Sequence, residues 1–394
     1  MTGQPLVVGA GAAGLAVAAT LQRNGIPCAV VDRADRVGSA WAGRYDSLHL
    51  HTIRWLSGLP GAPIPRAYGR WVARDDVVRY LHDYADRAGV RPELGIEVTR
   101  IDRDHDGDGW VVQTSAGERR APVVVLATSY SNRPCLPDWA GGSTPPVIHS
   151  SAYGNPTPYA GRRVLVVGAG NSAAEIAVDL VTAGADVRLS VRTPPNIVRR
   201  DTLGVPSQLL GIALRRVPES VMNPIAGVLR RLSVPDLSSY GLPAPPGDGF
   251  TQFLRTRTVP ILDHGFVAAV RAGGIRVVAA VEAIEPDGSV QLADGTALEV
   301  DAVVAATGFR PGLEDVVGHL GVLDDAGVPL VHGARTLPQA PALYFAGIEV
   351  LLAGLLREIG IEAKAIGAAI AAGGAGASAG GGSGRGRVES WVAT

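Results

Sequence analysis

Two glycine clusters, each set between a short apolar run and an alanine-rich stretch, restrict what this chain can fold into more than any other feature. The first lies within Pro5–Asp32. There Leu6-Val7-Val8 reads as a buried strand, Ala12–Asn24 as a helix, Gly25 as its left-handed cap, and Cys28–Val31 as a second strand. The second lies within Arg163–Arg192, with a strand at Val164–Val167, a helix at Asn171–Ala183 and a cap at Gly184. Val187, Leu189 and Val191 then alternate with polar residues as the next strand. Strand, glycine turn, helix and strand form the opening βαβ of a dinucleotide-binding fold. Gly9-Ala10-Gly11-Ala12-Ala13-Gly14 is GxGxxG, and Gly168-Ala169-Gly170-Asn171-Ser172-Ala173 is the GxGxxA variant. The first glycine makes a tight turn, the second lets backbone approach a pyrophosphate, and the third position lets helix and strand pack closely. Free N–H groups at each helix N-terminus then face the phosphates.

The residue ending each second strand separates the two sites. Asp32 ends the first. An acid there accepts hydrogen bonds from ribose hydroxyls and repels a 2′-phosphate, which suits FAD or NAD. FAD is preferred because this unit stands first and a second dinucleotide unit follows it. The second unit ends in Arg192, which would pair with a 2′-phosphate and select NADPH over NADH. The alternative is a solvated surface arginine. Two nucleotide sites in one chain imply hydride transfer from one cofactor to the other.

Composition narrows the partners. The 394 residues carry a formal net charge of -1, which points to neither nucleic acid nor an anionic membrane. The two cysteines, Cys28 and Cys135, form no CxxC, which excludes a dithiol redox centre and fits a reducing cytoplasm. Leu6–Leu21 is apolar but lacks the basic flank of a signal peptide, and its glycines already have a role. No apolar run is long enough to span a bilayer.

Two more apolar runs, PVVVLATSY at 122–130 and DAVVAATGF at 301–309, bracket the second unit and read as strands leaving a parallel sheet. The expected fold is therefore α/β, with two Rossmann-like dinucleotide-binding domains, the NADPH domain inserted into a discontinuous FAD domain. Residues 1–150 and 301–370 would form the FAD domain, residues 151–300 the NADPH domain, and 371–394 a disordered, glycine-rich tail. Within the insert, 202–250 reads as a helical excursion, with LLGIALRRV and IAGVLRRL as amphipathic patterns. It could pack on its own domain, act as a lid over a substrate entrance, or touch a membrane surface.

Several blocks resemble the class B flavin monooxygenases, most closely the plant YUCCA-type and related bacterial branch. VVGAGAAGLAVAATLQRNG is similar to that family's FAD fingerprint, and VVGAGNSAAEIAVDL to its NADPH fingerprint, with Asn171, Ser172 and Glu175 in place. SAWAGRYDSLHLHT carries Trp41, Arg44, Tyr45, Asp46, Leu48 and His51 of the block after the second strand. VVAATGF, YGLPAPP, VPILDHG and LYFAGIEVLLAGLLREIGIEAKAI resemble later blocks, so the likeness covers about residues 5–370. One signature departs. The FxGxxxHxxxY motif keeps His149 and Tyr153, but Ser143 and Pro145 replace its Phe and first Gly. The resemblance implies FAD and NADPH as cofactors. It also implies a C4a-hydroperoxyflavin that passes one oxygen atom from O2 to a small organic substrate.

Gly9, Gly11, Ala13, Gly14, Asp32, Arg33, Trp41, Val98 and Leu355 are the expected FAD contacts. Gly168, Gly170, Asn171, Ser172 and Arg192 are the expected NADPH contacts, and His51 is the candidate catalytic residue. No metal is expected, because a third ligand to join His49 and His51 is lacking. On a strand those two histidines would share one face. They could be ordinary polar packing or could contact flavin, NADP⁺ or an oxygen intermediate. The turn Gly354-Leu355-Leu356 opens the last helix and would present N–H groups to the flavin pyrimidine edge, or is an ordinary helix start. N- or S-oxygenation and oxidative decarboxylation of a 2-oxo acid both suit this chemistry. Baeyer–Villiger insertion, an NADPH oxidase or flavin reductase, and a nucleotide-binding regulator without turnover are the alternatives. A homodimer is left open.

Overall fold

The computed structural model describes residues 3–104, 108–141, 144–202, 204–214, 235–243, 259–349 and 353–373. It contains two five-stranded sheets, both wholly parallel. The first runs Leu343–Phe345, Val124–Leu126, Leu6–Val8, Ala29–Asp32, Glu93–Leu94. The second runs Ile275–Val278, Asp186–Ser190, Arg163–Val167, Ala302–Ala305, Val147–His149. The inner strands are apolar at almost every position because helices or smaller sheets cover both faces. Val7, Val30 and Val125 face the cluster under the first helix, while Leu6, Val31 and Val124 face the opposite one.

The apolar run at 301–309 does not open the third expected segment. Ala302–Ala305 pairs with Arg163–Val167, with Val167 opposite Ala305, and Val147–His149 lies on its other side. A run such as AVVA fits the middle of any parallel sheet, so its partner is set by packing at the strand end. The two sheets repeat one construction there. A Cβ on Gly9 would meet the Ala127 carbonyl oxygen at 2.5 Å, and a Cβ on Gly168 would meet that of Ala306 at 2.4 Å. Each glycine turn closes onto the strand that follows it in space, Val124–Leu126 in one sheet and Ala302–Ala305 in the other.

The first helix, Ala12–Arg23, is buried along most of its length and packs against the last, Leu355–Ala371. Small residues permit the approach: a Cβ on Gly367 would lie 2.6 Å from Thr20 Cγ2. Leu15, Leu21, Ile359 and Ile366 fill the contact, and each such buried side chain stabilises by about 1.5–3 kcal/mol. Of the expected excursion at 202–250, Ser207–Leu214 is helical, while 215–234 and 244–250 lie outside the described residues, as do Ser143 and 374–394. Among the described residues, no helix is long and apolar enough to cross a membrane.

Candidate functional site

Both glycine turns have the shape of phosphate cradles. Gly9 and Gly168 take φ values of 113° and 138°, which side chains disfavour. A Cβ on Gly14 would lie 1.8 Å from the Gly9 carbonyl oxygen, so only glycine fits beneath the turn. At Gly11 and Gly170, by contrast, a Cβ would meet nothing within 4 Å. Those two positions open onto free space at the N-termini of helices that have no side-chain cap. Uncapped N–H groups facing open space at a glycine fit a dinucleotide pyrophosphate.

Asp32 is engaged within the fold itself. Its Oδ2 accepts from the Ala10 N–H at 2.6 Å and its Oδ1 from the Ala34 N–H at 2.8 Å, so it also pins the glycine turn. Ala13 lies in the first turn of the first helix, close beneath Gly347. Arg33 turns away and donates to Asn132 Oδ1 at 2.8 Å. Val98 begins a strand and packs on the cluster containing Val8 and Val31. Trp41, on the short helix Ser39–Ala42, and Leu355 both pack on the cluster around the first helix. Gly354, with φ 103°, opens the last helix without a side-chain cap. A Cβ there would crowd Thr52 and Gln208, which lie 2.7 and 2.6 Å away.

In the second cradle, Asn171 serves the fold. Its side chain donates to the Pro260 carbonyl at 3.0 Å and accepts from the Leu262 N–H at 2.8 Å. Ser172 follows in the first turn of the same helix, close to Tyr45. Arg192 is exposed and makes no ion pair among the described residues.

The tightest polar constellation links the two cradles, and sequence reasoning did not assemble it. Glu175, on the helix Asn171–Thr182, keeps only 8% of its side chain exposed. Its Oε2 accepts from the Tyr45 hydroxyl at 2.6 Å. Its Oε1 accepts from His51 Nε2 and, at 3.3 Å, from His264 Nε2. Tyr45 and His51 follow the first cradle, while Glu175 and His264 belong to the second. Burial opposes the Glu175 charge, but His51, His264 and Tyr45 together hold its carboxyl below the ordinary range. Burial opposes the His51 charge too, and the Glu175 carboxylate overcomes it and raises the imidazole. The clue in the sequence was one acid in the apolar string Ala173-Ala174-Glu175-Ile176-Ala177, which needs buried donors.

The two candidate histidines part company. His49 is exposed, with Nδ1 against the Ser47 carbonyl at 2.8 Å, whereas His51 keeps 26% of its side chain exposed beside Glu175. The 51–54 stretch is also tied to the excursion. Gln208 Oε1 accepts from the Ile53 N–H at 2.8 Å, and its Nε2 donates to the Ala353 carbonyl at 2.7 Å. His51, the excursion and the start of the last helix thus meet in one place.

Comparison with known proteins finds relatives along most of the chain. Residues 6–206, just over half the chain, match the family described as pyridine nucleotide-disulphide oxidoreductase. The chain is 34% identical over 321 residues to indole-3-pyruvate monooxygenase YUCCA8 of Oryza sativa subsp. indica, across 78% of this chain and 76% of that one. Its structure is similar to that of the flavin-containing monooxygenase from Stenotrophomonas maltophilia. That likeness has a TM-score of 0.68 and 26% identity, over 93% of this chain and 98% of the other. It shares its fold with OTEMO, solved as a complex with FAD and NADP, at a TM-score of 0.72 and 16% identity, over 94% and 85% of the two chains.

Proposed function

The chain belongs to the pyridine nucleotide-disulphide oxidoreductase family and, within it, to the flavin monooxygenases that use FAD and NADPH, and from this premise we propose that its substrate is a small aromatic 2-oxo acid. The reaction would consume the 2-oxo acid, O2, NADPH and a proton. It would yield the carboxylic acid one carbon shorter, CO2, water and NADP⁺. The observation that carries this reading is the likeness to an indole-3-pyruvate monooxygenase across most of both lengths. FAD, when bound, supplies the two-electron chemistry that divides O2 between substrate and water.

The first sheet would carry FAD and the second NADPH, so the FAD domain is discontinuous. The chain enters the NADPH domain through Val147–His149 and leaves it through Ala302–Ala305. The glycine turns at Gly9 and Gly168 would hold the pyrophosphates, Asp32 the flavin-side ribose and Arg192 the 2′-phosphate. The uncapped helix start at Leu355 would face the flavin pyrimidine edge. His51 is the residue assigned to the reacting centre. The Glu175 carboxylate keeps a proton on Nε2, fixes the ring and favours the imidazolium, whose Nδ1–H would donate to an oxygen of substrate or oxidant. Tyr45 and His264 steady that carboxylate. The sparse cysteines support a cytoplasmic setting with O2 and a small molecule as partners.

The test is stoichiometry. FAD-loaded enzyme with NADPH, O2 and an aryl pyruvate should release one carboxylic acid and one CO2 per NADPH. Peroxide equal to NADPH across a panel of 2-oxo acids, with no shortened acid, would refute the substrate class and favour an oxidase. His51→Ala should retain FAD and raise peroxide per NADPH severalfold. Unchanged coupling in that variant removes His51 from the oxygen chemistry.

A further inference from the structure

Two arginines lie on one indole ring beside His51. The Arg200 guanidinium carbon is 4.6 Å from the centre of the Trp71 ring, and that of Arg70 is 5.4 Å from it. Like charges gathered around one aromatic ring repel, and burial lowers the Arg200 guanidinium from its ordinary value. Arg200 feels Glu175, Asp201 and Asp263 at a distance. Among the described residues neither arginine makes an ion pair with a carboxylate, and both Nε atoms are buried without a hydrogen-bond partner. Buried guanidinium N–H groups of that kind are free to donate to an anion.

The pair is adjacent to the reacting centre. The strip Arg70–Val72 runs alongside Leu50–Arg54, with Leu50 N–H donating to the Val72 carbonyl at 2.7 Å and Arg54 N–H to the Arg70 carbonyl at 3.1 Å. That second strip contains His51. From the excursion, the Ser207 N–H donates to the Arg200 carbonyl at 3.1 Å, and the next residue, Gln208, holds the start of the last helix. Arg70 Nη2 also reaches the Gly204 carbonyl at 2.6 Å. The same two stretches present Trp55, Val205 and Leu209 to solvent, apolar surface beside a cationic pair.

We propose that Arg70 and Arg200, folded onto Trp71, form the subsite that receives the carboxylate of an aryl acid substrate. This assignment rests on the substrate class argued above. Guanidinium forks match a carboxylate in two-point contact, and the indole keeps them oriented. The carboxylate would anchor the 2-oxo acid with its carbonyl toward His51.

The test separates binding from turnover. Oxidised, FAD-loaded enzyme with NADP⁺ is titrated with indole-3-acetate and with the neutral indole-3-acetamide, and binding is read from the flavin absorbance. Wild type should favour the acid over the amide. Arg70→Met and Arg200→Met should each reduce acid affinity by about tenfold to a hundredfold and leave the amide unchanged. FAD content and the KM for NADPH should hold, and Arg70→Lys should recover part of the loss. If Arg200→Met does not fold, Arg70→Met alone decides. Equal affinity of wild type for acid and amide, or an undiminished preference in Arg70→Met, overturns the subsite. An acid preference that disappears in the variants, in an enzyme that converts no 2-oxo acid, supports the subsite and refutes the substrate proposal instead.

Discussion

Replacing Glu175 with glutamine keeps the shape of the side chain and removes its charge, which isolates what the charge does. The amide oxygen can still accept from the Tyr45 hydroxyl, so that bond survives as a neutral one. His51 and His264 lose their carboxylate, the second from the longer contact of 3.3 Å. A hydrogen bond to a charged group contributes about 1.5–3 kcal/mol net, so the loss is about 3 kcal/mol where His51 is protonated. The imidazolium can escape by releasing its proton, which makes the loss depend on pH. The folded pKa of His51 is raised, so its contribution is complete below the unfolded value of about 6.5 and fades as pH rises through the folded value. That of Glu175 is lowered, so its contribution is present above the unfolded value of about 4.3 and is lost as pH falls through the folded one. The cost of Glu175→Gln should therefore be greatest between about pH 4.5 and 6.5 and small in alkali. Urea unfolding of FAD-loaded protein, followed by tryptophan and flavin fluorescence, should show a deficit of about 3 kcal/mol at about pH 6 and a smaller one at about pH 9. An equal deficit at both pH values, or none at either, refutes the charge-pair account.

Two further outcomes follow from other positions. Arg192→Ala should weaken NADPH by about tenfold to a hundredfold, the value of a charge-assisted phosphate contact, and leave NADH unchanged; equal weakening of both in steady-state KM values defeats the 2′-phosphate assignment. Burial pushes the Glu362 carboxyl up to about 7, aided by Glu349 and Glu358. A raised carboxyl is protonated in the folded state while the unfolded chain is already ionised, so stability should fall as pH rises from about 4.5 to 7 and then level off. Glu362→Gln can still accept from the Gly347 N–H and should flatten that slope, gaining at most about 3 kcal/mol at about pH 8 in the same urea assay; an unaltered slope assigns the titration elsewhere.

The parts of the fold that rest on local chemistry were legible in the sequence. Gly9 and Gly168 announce tight turns, Gly14 a close approach of helix to turn, Gly25 and Gly184 take the left-handed φ values of 74° and 83° expected of caps, and each alanine-rich stretch is a helix. The partner of Ala302–Ala305 was not legible, because four apolar residues specify burial and not a neighbour. The meeting of Tyr45, His51 and His264 on Glu175 was hidden for a related reason. The three donors are 130, 124 and 89 residues from the acid, and no local periodicity encodes such distances. The acid alone was visible, as a misfit in an apolar helix face. Asn171, read as a cofactor contact, also bonds through its side chain to Pro260 and Leu262, a tie across about 90 residues that the fingerprint does not encode.

Val147–His149 and Ala302–Ala305 are hydrogen-bonded neighbours, about 4.8 Å apart. Because the two run parallel, everything from residue 150 to residue 301, the other three strands of that sheet included, is one crossover between adjoining strands. A change of length in a loop of that stretch can therefore leave their pairing untouched.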